Sequence, residues 1–350
     1  VVPHNTFVYL SPREISATVQ TILTSTFTFV SRPAGSAAAF TAMTTPTTTN
    51  WVNFIADRTG EYQVRLVITT AGGTDDTTIS IFASRYIGVG GFDGGATAFP
   101  QCMSCHAAHP NFVAIFDRWK VSDHALMARR GIRGEIPGYN QSCLKCHTTG
   151  SDMNLVAAND GFDDIQASVS WVFTSPSVAA WTSLSTSNAL LQRANVGCEA
   201  CHGPGSEHTA GGAIARTQVS VDDGVCAPCH SGGVNYPLYE EFINSDHFTP
   251  VWSNSFAQGT TSQNNSLGNC IRCHDGRGFA NFAGYSRVTN TTGMNRIDQI
   301  DIGCASCHDP HGNSNPYSIR NVPNLADTLG TGFNYAGMGG TGETCMSCHK

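Results

Sequence analysis

Residues 102–106 read Cys102-Met-Ser-Cys-His106, and the same Cys-x-x-Cys-His pattern returns six more times. The later copies are Cys143–His147, Cys198–His202, Cys226–His230, Cys270–His274, Cys304–His308 and Cys345–His349, and together the seven consume all 14 cysteines. Two thiols at this spacing with a histidine directly after them form the attachment signature of c-type haem. Both sulfurs bond the porphyrin vinyl groups and the histidine becomes an axial ligand of iron. The candidate attachment pairs are therefore Cys102 and Cys105, Cys143 and Cys146, Cys198 and Cys201, Cys226 and Cys229, Cys270 and Cys273, Cys304 and Cys307, and Cys345 and Cys348. The candidate proximal ligands are His106, His147, His202, His230, His274, His308 and His349. Seven covalent haems in one chain imply electron transfer.

Rival uses of paired cysteines fit less well. Zinc ribbons do not require a histidine after the second cysteine, yet it follows here in seven cases of seven, although only 13 of 350 residues are histidine. A thioredoxin-type redox pair would occur once. A disulfide framework would show varied spacings.

Charged residues make up 13% of the chain and the formal net charge is −7, before any haem propionates are added. There is no basic stripe, so nucleic acid is not an expected partner. No run of about 18 apolar residues occurs, so no transmembrane helix is expected. Haem is attached to such motifs outside the cytoplasm. Val1 is therefore read as the N-terminus left after a signal peptide is removed, and the expected location is extracellular or at the cell surface.

The first 90 residues carry no motif and read differently. Alternating apolar residues predict short strands at Thr26–Val30, Trp51–Ile55, Tyr62–Ile68 and Thr77–Phe82. Gly72-Gly73 and Asp75-Asp76 read as turns and Thr41–Thr49 as an exposed loop. Several short strands between turns suggest an all-β sandwich over residues 1–90. Residues 91–101 read as a linker, with the glycine-rich run Gly88–Gly95 at its start. From 102 to 350, seven motifs share about 35 residues each. That is too little chain for an ordinary core around every cofactor, so loops and short helices packed on haem are expected, and no fold without it.

A repeat is visible. Residues 102–225 hold two motifs around Ser122-Asp123-His124, then Gly197 and the third motif; residues 226–344 hold two motifs around Ser245-Asp246-His247, then Gly303 and the sixth. The seventh, at 345–349, repeats the first letter for letter. Two three-haem modules and the start of another account for the count.

Seven irons need fourteen axial positions. Beyond the motifs there are six histidines, His4, His109, His124, His208, His247 and His311, the candidate distal ligands. His109 and His311 lie three residues after His106 and His308, too near in sequence to reach the opposite face of the same iron. As ligands they would reach a neighbouring haem. His4, beside Pro3, reads equally well as a surface histidine. One iron is left without a histidine from this chain. Its sixth position falls to a methionine (Met127, Met153, Met294 or Met338), to a neighbouring subunit, or to a substrate.

Two phrases, Cys-Glu-Ala-Cys-His-Gly-Pro-Gly-Ser-Glu-His from Cys198 and Cys-Ala-Ser-Cys-His-Asp-Pro-His-Gly from Cys304, resemble recurrent motifs of the multihaem c-type cytochromes of metal-reducing and related microbes. Among these are extracellular cytochrome filaments, or microbial nanowires. That resemblance implies copies of the chain stacked head to tail, with a histidine of one subunit ligating a haem of the next. It also implies outer-membrane or periplasmic cytochromes as donors, and minerals or other cells as acceptors. The stretch Phe54–Ile68 resembles the late strands of immunoglobulin-like surface domains. The expected role is electron conduction rather than catalysis. A monomeric surface cytochrome, or a reductase with one open haem, are the alternatives.

Overall fold

The computed structural model describes residues 1–12, 20–43, 50–88, 101–152, 157–211, 222–232, 237–248, 273–282, 300–320 and 340–349. The chain divides into two compact units, Val1–Val219 and Ser220–Lys350.

Among the described residues the first unit opens with seven strands: β1 (Val2–Pro3), β2 (Phe7–Leu10), β3 (Thr24–Ser31), β4 (Thr41–Ala42), β5 (Val52–Ile55), β6 (Gly60–Thr70) and β7 (Gly73–Ser84). They form two sheets, ordered β1-β7-β6-β3 and β2-β5-β4. β1 runs parallel to β7 and the other pairs are antiparallel. The reason is the period of two. Tyr62 and Val64 point inward from β6 while Arg65 faces solvent. Both sheets contribute to one core, Val8 and Phe54 from one, Tyr62, Val64, Ile81 and Ala83 from the other. Phe54 sits edge-on to Phe29 at 5.1 Å and 5.4 Å from Tyr62. Replacing this 1%-exposed ring by alanine is expected to cost about 3–5 kcal/mol, read as lost hydrogen-exchange protection along β6 and β7.

Tyr62 also closes the corner before β6. Its hydroxyl accepts the Arg58 N–H (2.8 Å) and lies 3.0 Å from both the Arg58 carbonyl and Asp57 Oδ1. Burial pushes the Asp57 carboxyl up, but hydrogen bonds from Ser36, the Ala37 N–H and Tyr62 outweigh it and hold the group below the usual carboxylate range.

All four expected strands are present; three are longer than expected, and the one expected at Trp51–Ile55 begins a residue later, at Val52. β1, β2 and β4 are additional. Thr41-Ala42 is a strand paired with β5 rather than loop. Asp75 and Asp76 lie inside β7, where Arg65 Nε reaches Asp76 Oδ2 at 2.8 Å; the turn is at Ala71-Gly72. Most of the expected linker lies outside the described residues. Gly88 is held rather than loose, its N–H donating to Glu199 Oε2 at 3.0 Å.

The remainder is short helices and loops carrying the cysteines. Among the described residues two helices reach ten residues, Pro110–Trp119 and Asp123–Ile132. The second is capped by Ser122, begins with Asp123 and ends with Arg129 and Arg130, matching charge to the helix dipole. The expectation of no ordinary core is corrected here. Ile132, Tyr139, Leu144, Phe162, Trp181, Leu184 and Leu190 form a protein core of their own. The chain between His147 and Cys198 is long enough to supply it. The second unit differs: its buried apolar side chains among the described residues are Phe279, Ala280 and Ala305. Among the described residues no helix is long and apolar enough to cross a membrane.

Candidate haem centres

The motif spacing has a helical reason. Residues i and i+3 share a helix face and i+4 lies one turn on. Motif residues sit on the short helices Gln101–His106, Leu144–His147, Cys198–His202, Ala227–His230, Cys304–Cys307 and Glu343–Met346. Of the fifth motif, Cys273 and His274 are described and Cys270 lies outside the described residues. The thirteen described cysteines form no disulfide.

The sequence repeat is also a repeat of hydrogen bonds. The Ser122 hydroxyl donates to the Trp119 carbonyl and the Ser245 hydroxyl to that of Phe242, each at 2.7 Å. The carbonyl of His124 accepts the Val196 N–H at 3.0 Å, and that of His247 accepts the Ile302 N–H at 3.1 Å. Val196 and Ile302 each lie two residues before a motif, and extended Gly197 and Gly303 cap the helices that follow. The same joint thus ties each Ser-Asp-His element to the third motif of its own module. Sulfurs follow suit. The Cys102 thiol is hydrogen-bonded to Cys198, which together with burial pushes it up. Cys304 is hydrogen-bonded to Cys226 and lowered by it. In each module the first cysteine of the first motif meets the first cysteine of the third.

In three motifs the two cysteines differ in exposure. Cys105 and Cys229 are exposed, whereas Cys102 and Cys226 of the same motifs are half-buried. The fourth residue of a turn lies about 60° round the helix from the first, and on these two helices that rotation carries the sulfur to the open side. The Ser104 hydroxyl lies 3.9 Å from Cys105 Sγ. In the seventh motif the order is reversed, with Cys345 exposed and Cys348 half-buried. Cys348 also falls beyond the helix Glu343–Met346, its N–H donating to the Cys345 carbonyl at 3.2 Å. The polypeptide therefore does not enclose Cys105 and Cys229, and it holds Cys348 by a turn rather than by a helix.

The histidines group as follows. The rings of His106 and His208 have centres 6.4 Å apart and planes within 10°. Those of His247 and His349 are 5.8 Å apart at 62°. Two imidazoles on opposite faces of one metal, with metal–nitrogen bonds of about 2 Å, have ring centres roughly 6 Å apart; both pairs have that spacing, as do His106 and His109, which lie too near in sequence to share an iron. His208 Nδ1 is buried with no hydrogen-bond partner among the described residues. His109 lies 6.0 Å from His106 and Phe112 stacks on His106 at 4.1 Å. His308 Nδ1 donates to the Tyr317 carbonyl at 2.7 Å. That leaves Nε2 facing outward, the arrangement by which proteins orient a metal-binding imidazole. His147 rests on Tyr139, whose hydroxyl is 3.3 Å from Nδ1. Burial pushes Tyr139 up, helped by Cys143 and Cys146. His311 lies 3.6 Å from Asp309. His4 is not a surface histidine: it is 6% exposed, with Nδ1 3.1 Å from the Ala158 carbonyl and Nε2 3.2 Å from that of Asp57.

Sequence reasoning missed Glu199, inside the third motif. Its carboxylate accepts N–H groups from Ile87 (3.1 Å), Gly88 (3.0 Å) and Gly205 (2.7 Å). Burial pushes its carboxyl above the usual range, against those hydrogen bonds and the nearby Arg193 charge. Ser206 adds hydrogen bonds to Ser84 and Arg85. A carboxylate between two cysteines destined for haem was the available signal.

Comparison with known proteins gives c-type cytochromes. The family described as cytochrome c554 and c-prime matches residues 225–309. The C-type polyheme cytochrome OmcB of Geobacter sulfurreducens is 29% identical over 176 residues, 45% of this chain and 21% of that protein. OmcC, another C-type polyheme cytochrome of that organism, is 28% identical over 179 residues, 44% of this chain and 22% of the relative. The matched stretch thus spans about a fifth of these curated relatives. Over the matched stretches the chain is similar to multihaem c-type cytochromes. Its motif cysteines and histidines fit covalent haem.

Proposed function

We propose that this chain conducts electrons through seven c-type haems, as the subunit of a head-to-tail cytochrome filament outside the cell. Bound haem supplies one-electron iron chemistry; the polypeptide sets spacing, ligation and burial. The observation that carries the reading is the closed count of motifs, seven Cys-x-x-Cys-His sequences using every cysteine. The repeated joint supports two three-haem modules followed by a seventh haem. The 6.4 Å and 5.8 Å ring pairs support bis-histidine ligation by His106 with His208 and by His349 with His247. Irons saturated in this way carry electrons rather than bind substrate. His109, His124 and His311 remain candidate distal ligands. His4 would have to exchange two carbonyl contacts to reach an iron. The N-terminal sheets are read as immunoglobulin-like, supported by the Tyr62 corner at the start of a long strand. Donors would be outer-membrane or periplasmic cytochromes, and acceptors minerals or other cells.

Intact mass of the purified chain tests the haem count: seven haem increments are expected, and fewer would refute it. Electron microscopy tests the filament, for which discrete particles would be decisive against. Exchanging His247 for alanine is expected to convert one haem of the set from low to high spin in electron paramagnetic resonance. An unchanged spectrum would remove the His247–His349 pairing.

A further inference from the structure

The two modules carry different residues at the position three before their third motif. Asn195 and Asp301 each lie three residues before a motif, in Asn195-Val-Gly-Cys and Asp301-Ile-Gly-Cys. Asn195 is 1% exposed. Asp301 meets another carboxyl, that of Asp223, which itself lies three residues before the fourth motif. Asp223 is 4% exposed, and its Oδ2 is sealed from solvent with no hydrogen-bond partner among the described residues. An ionised carboxyl only accepts hydrogen bonds. Two of them in contact therefore share one proton, or they stand as adjacent like charges, one of them buried.

We propose that Asp301 and Asp223 form a proton-binding site that takes up one proton when a neighbouring haem of the second module is reduced.

The position supports this. Cys226 and Cys304, the first attachment points of the fourth and sixth motifs, are hydrogen-bonded to each other beside the pair. Any haem charge at those motifs is thus close to both carboxyls. The groups acting most strongly on Asp301 are Asp223, Asp222 and Cys304. Tyr239, from helix Leu238–Ile243, faces the same cluster and is raised chiefly by burial, then by Asp223, Asp222 and Asp301. Asp275 approaches through the Ile300 N–H, which it accepts at 3.0 Å. Burial, then the contact with Asp223, pushes Asp301 up to about 8. Attachment of haem turns Cys304 into a neutral thioether. The burial and the two aspartates remain.

The balance is one electron and one proton. The electron, from an electrode or a chemical reductant, enters the iron. The proton leaves bulk water and bonds to a carboxylate oxygen of the pair, so the net charge of the site is unchanged. Added negative charge on the haem favours the protonated pair, so its pKa is higher in the reduced state. Below about 8 the pair already holds its proton in both redox states, and the potential is level. Above it, reduction recruits a proton and the potential falls with pH, by about 59 mV for each tenfold drop in proton concentration at full coupling.

This rests on the haem reading above, and one experiment separates the two. Spectroelectrochemical titrations of the full haem-loaded chain are run from about pH 6 to 10 on wild type, D301N and D223N, the window bracketing a carboxyl raised by partial burial and a like-charged neighbour. Wild type is expected to show one pH-dependent step above about 8. D301N is expected to be level there. It copies the first module, where Asn195 occupies the position, so the fold should tolerate it. D223N removes the negative neighbour and is expected to shift the break to lower pH; should D301N fail to load haem, this result decides. Haem propionates titrate equally in all three chains. A wild type level above 8, or the same slope and break in the variants, overturns the proposal while leaving electron conduction intact. Absence of covalent haem absorbance overturns the reading beneath it.

Discussion

Produced without haem attachment, the chain is expected to keep its N-terminal sheets and lose the order of residues 220–350. The two units differ in what they bury. The first holds two apolar clusters, one between the sheets and one over Ile132–Ala194. The second, among its described residues, buries Phe279, Ala280 and Ala305. At about 25 cal/mol per Å² of apolar surface, three such side chains contribute only a few kcal/mol, far below the ordering entropy of the loops they sit in. On the haem reading proposed above, porphyrin would supply further apolar surface there, and folding and haem attachment are expected to be one process. Hydrogen exchange on the haem-free full chain checks this. Protection is expected along β6 and β7, with none at Phe279 or Ser306. Protection at both would show that the second unit has a core independent of haem.

Glu199→Ala is expected to be as damaging as the loss of the Phe54 ring. Glu199 is 3% exposed and gathers N–H donors from Ile87, Gly88 and Gly205. The alanine leaves three buried donors unpaired and removes the counter-charge near Arg193, a loss of about 3–5 kcal/mol. Arg193 keeps the carbonyls of Tyr86, Asp160 and Ala189, which confines the effect to the segment Arg85–Gly88 and the turn after His202. Faster proteolysis at that segment and faster exchange of the Ile87 and Gly88 amides are expected, with haem content unchanged. Glu199→Gln, which keeps one oxygen acceptor, is expected to lose less. If both variants matched wild type, Glu199 would not be what holds the segment.

Strands were legible where alternation was strong and the strand long enough to show it, as in Tyr62–Ile68. Phe7–Leu10 was not, because four residues carry little period and its partner, Val52–Ile55, lies far along the chain. The core around Trp181 and Leu184 was overlooked because chain per haem was averaged over the whole region, although residues 148–197 are a long interval without a motif. Glu199 was hidden for another reason: its donors at Ile87 and Gly88 come from more than a hundred residues upstream. The unequal exposure of paired thiols, Cys105 against Cys102 and Cys229 against Cys226, was equally invisible. Identical spacing says nothing about which side of a helix its neighbours cover.

Haem attachment is written in the sequence because its determinants are local. Two cysteines and a histidine within one helical turn need no tertiary context to be read, and neither does the order of the modules. Which histidines meet was decided only by packing. His208 beside His106, and His247 beside His349, join residues about a hundred positions apart. The contact of Asp301 with Asp223 is of the same kind. Spacing in a chain sets what a turn can hold, whereas distance across a fold depends on every element packed between.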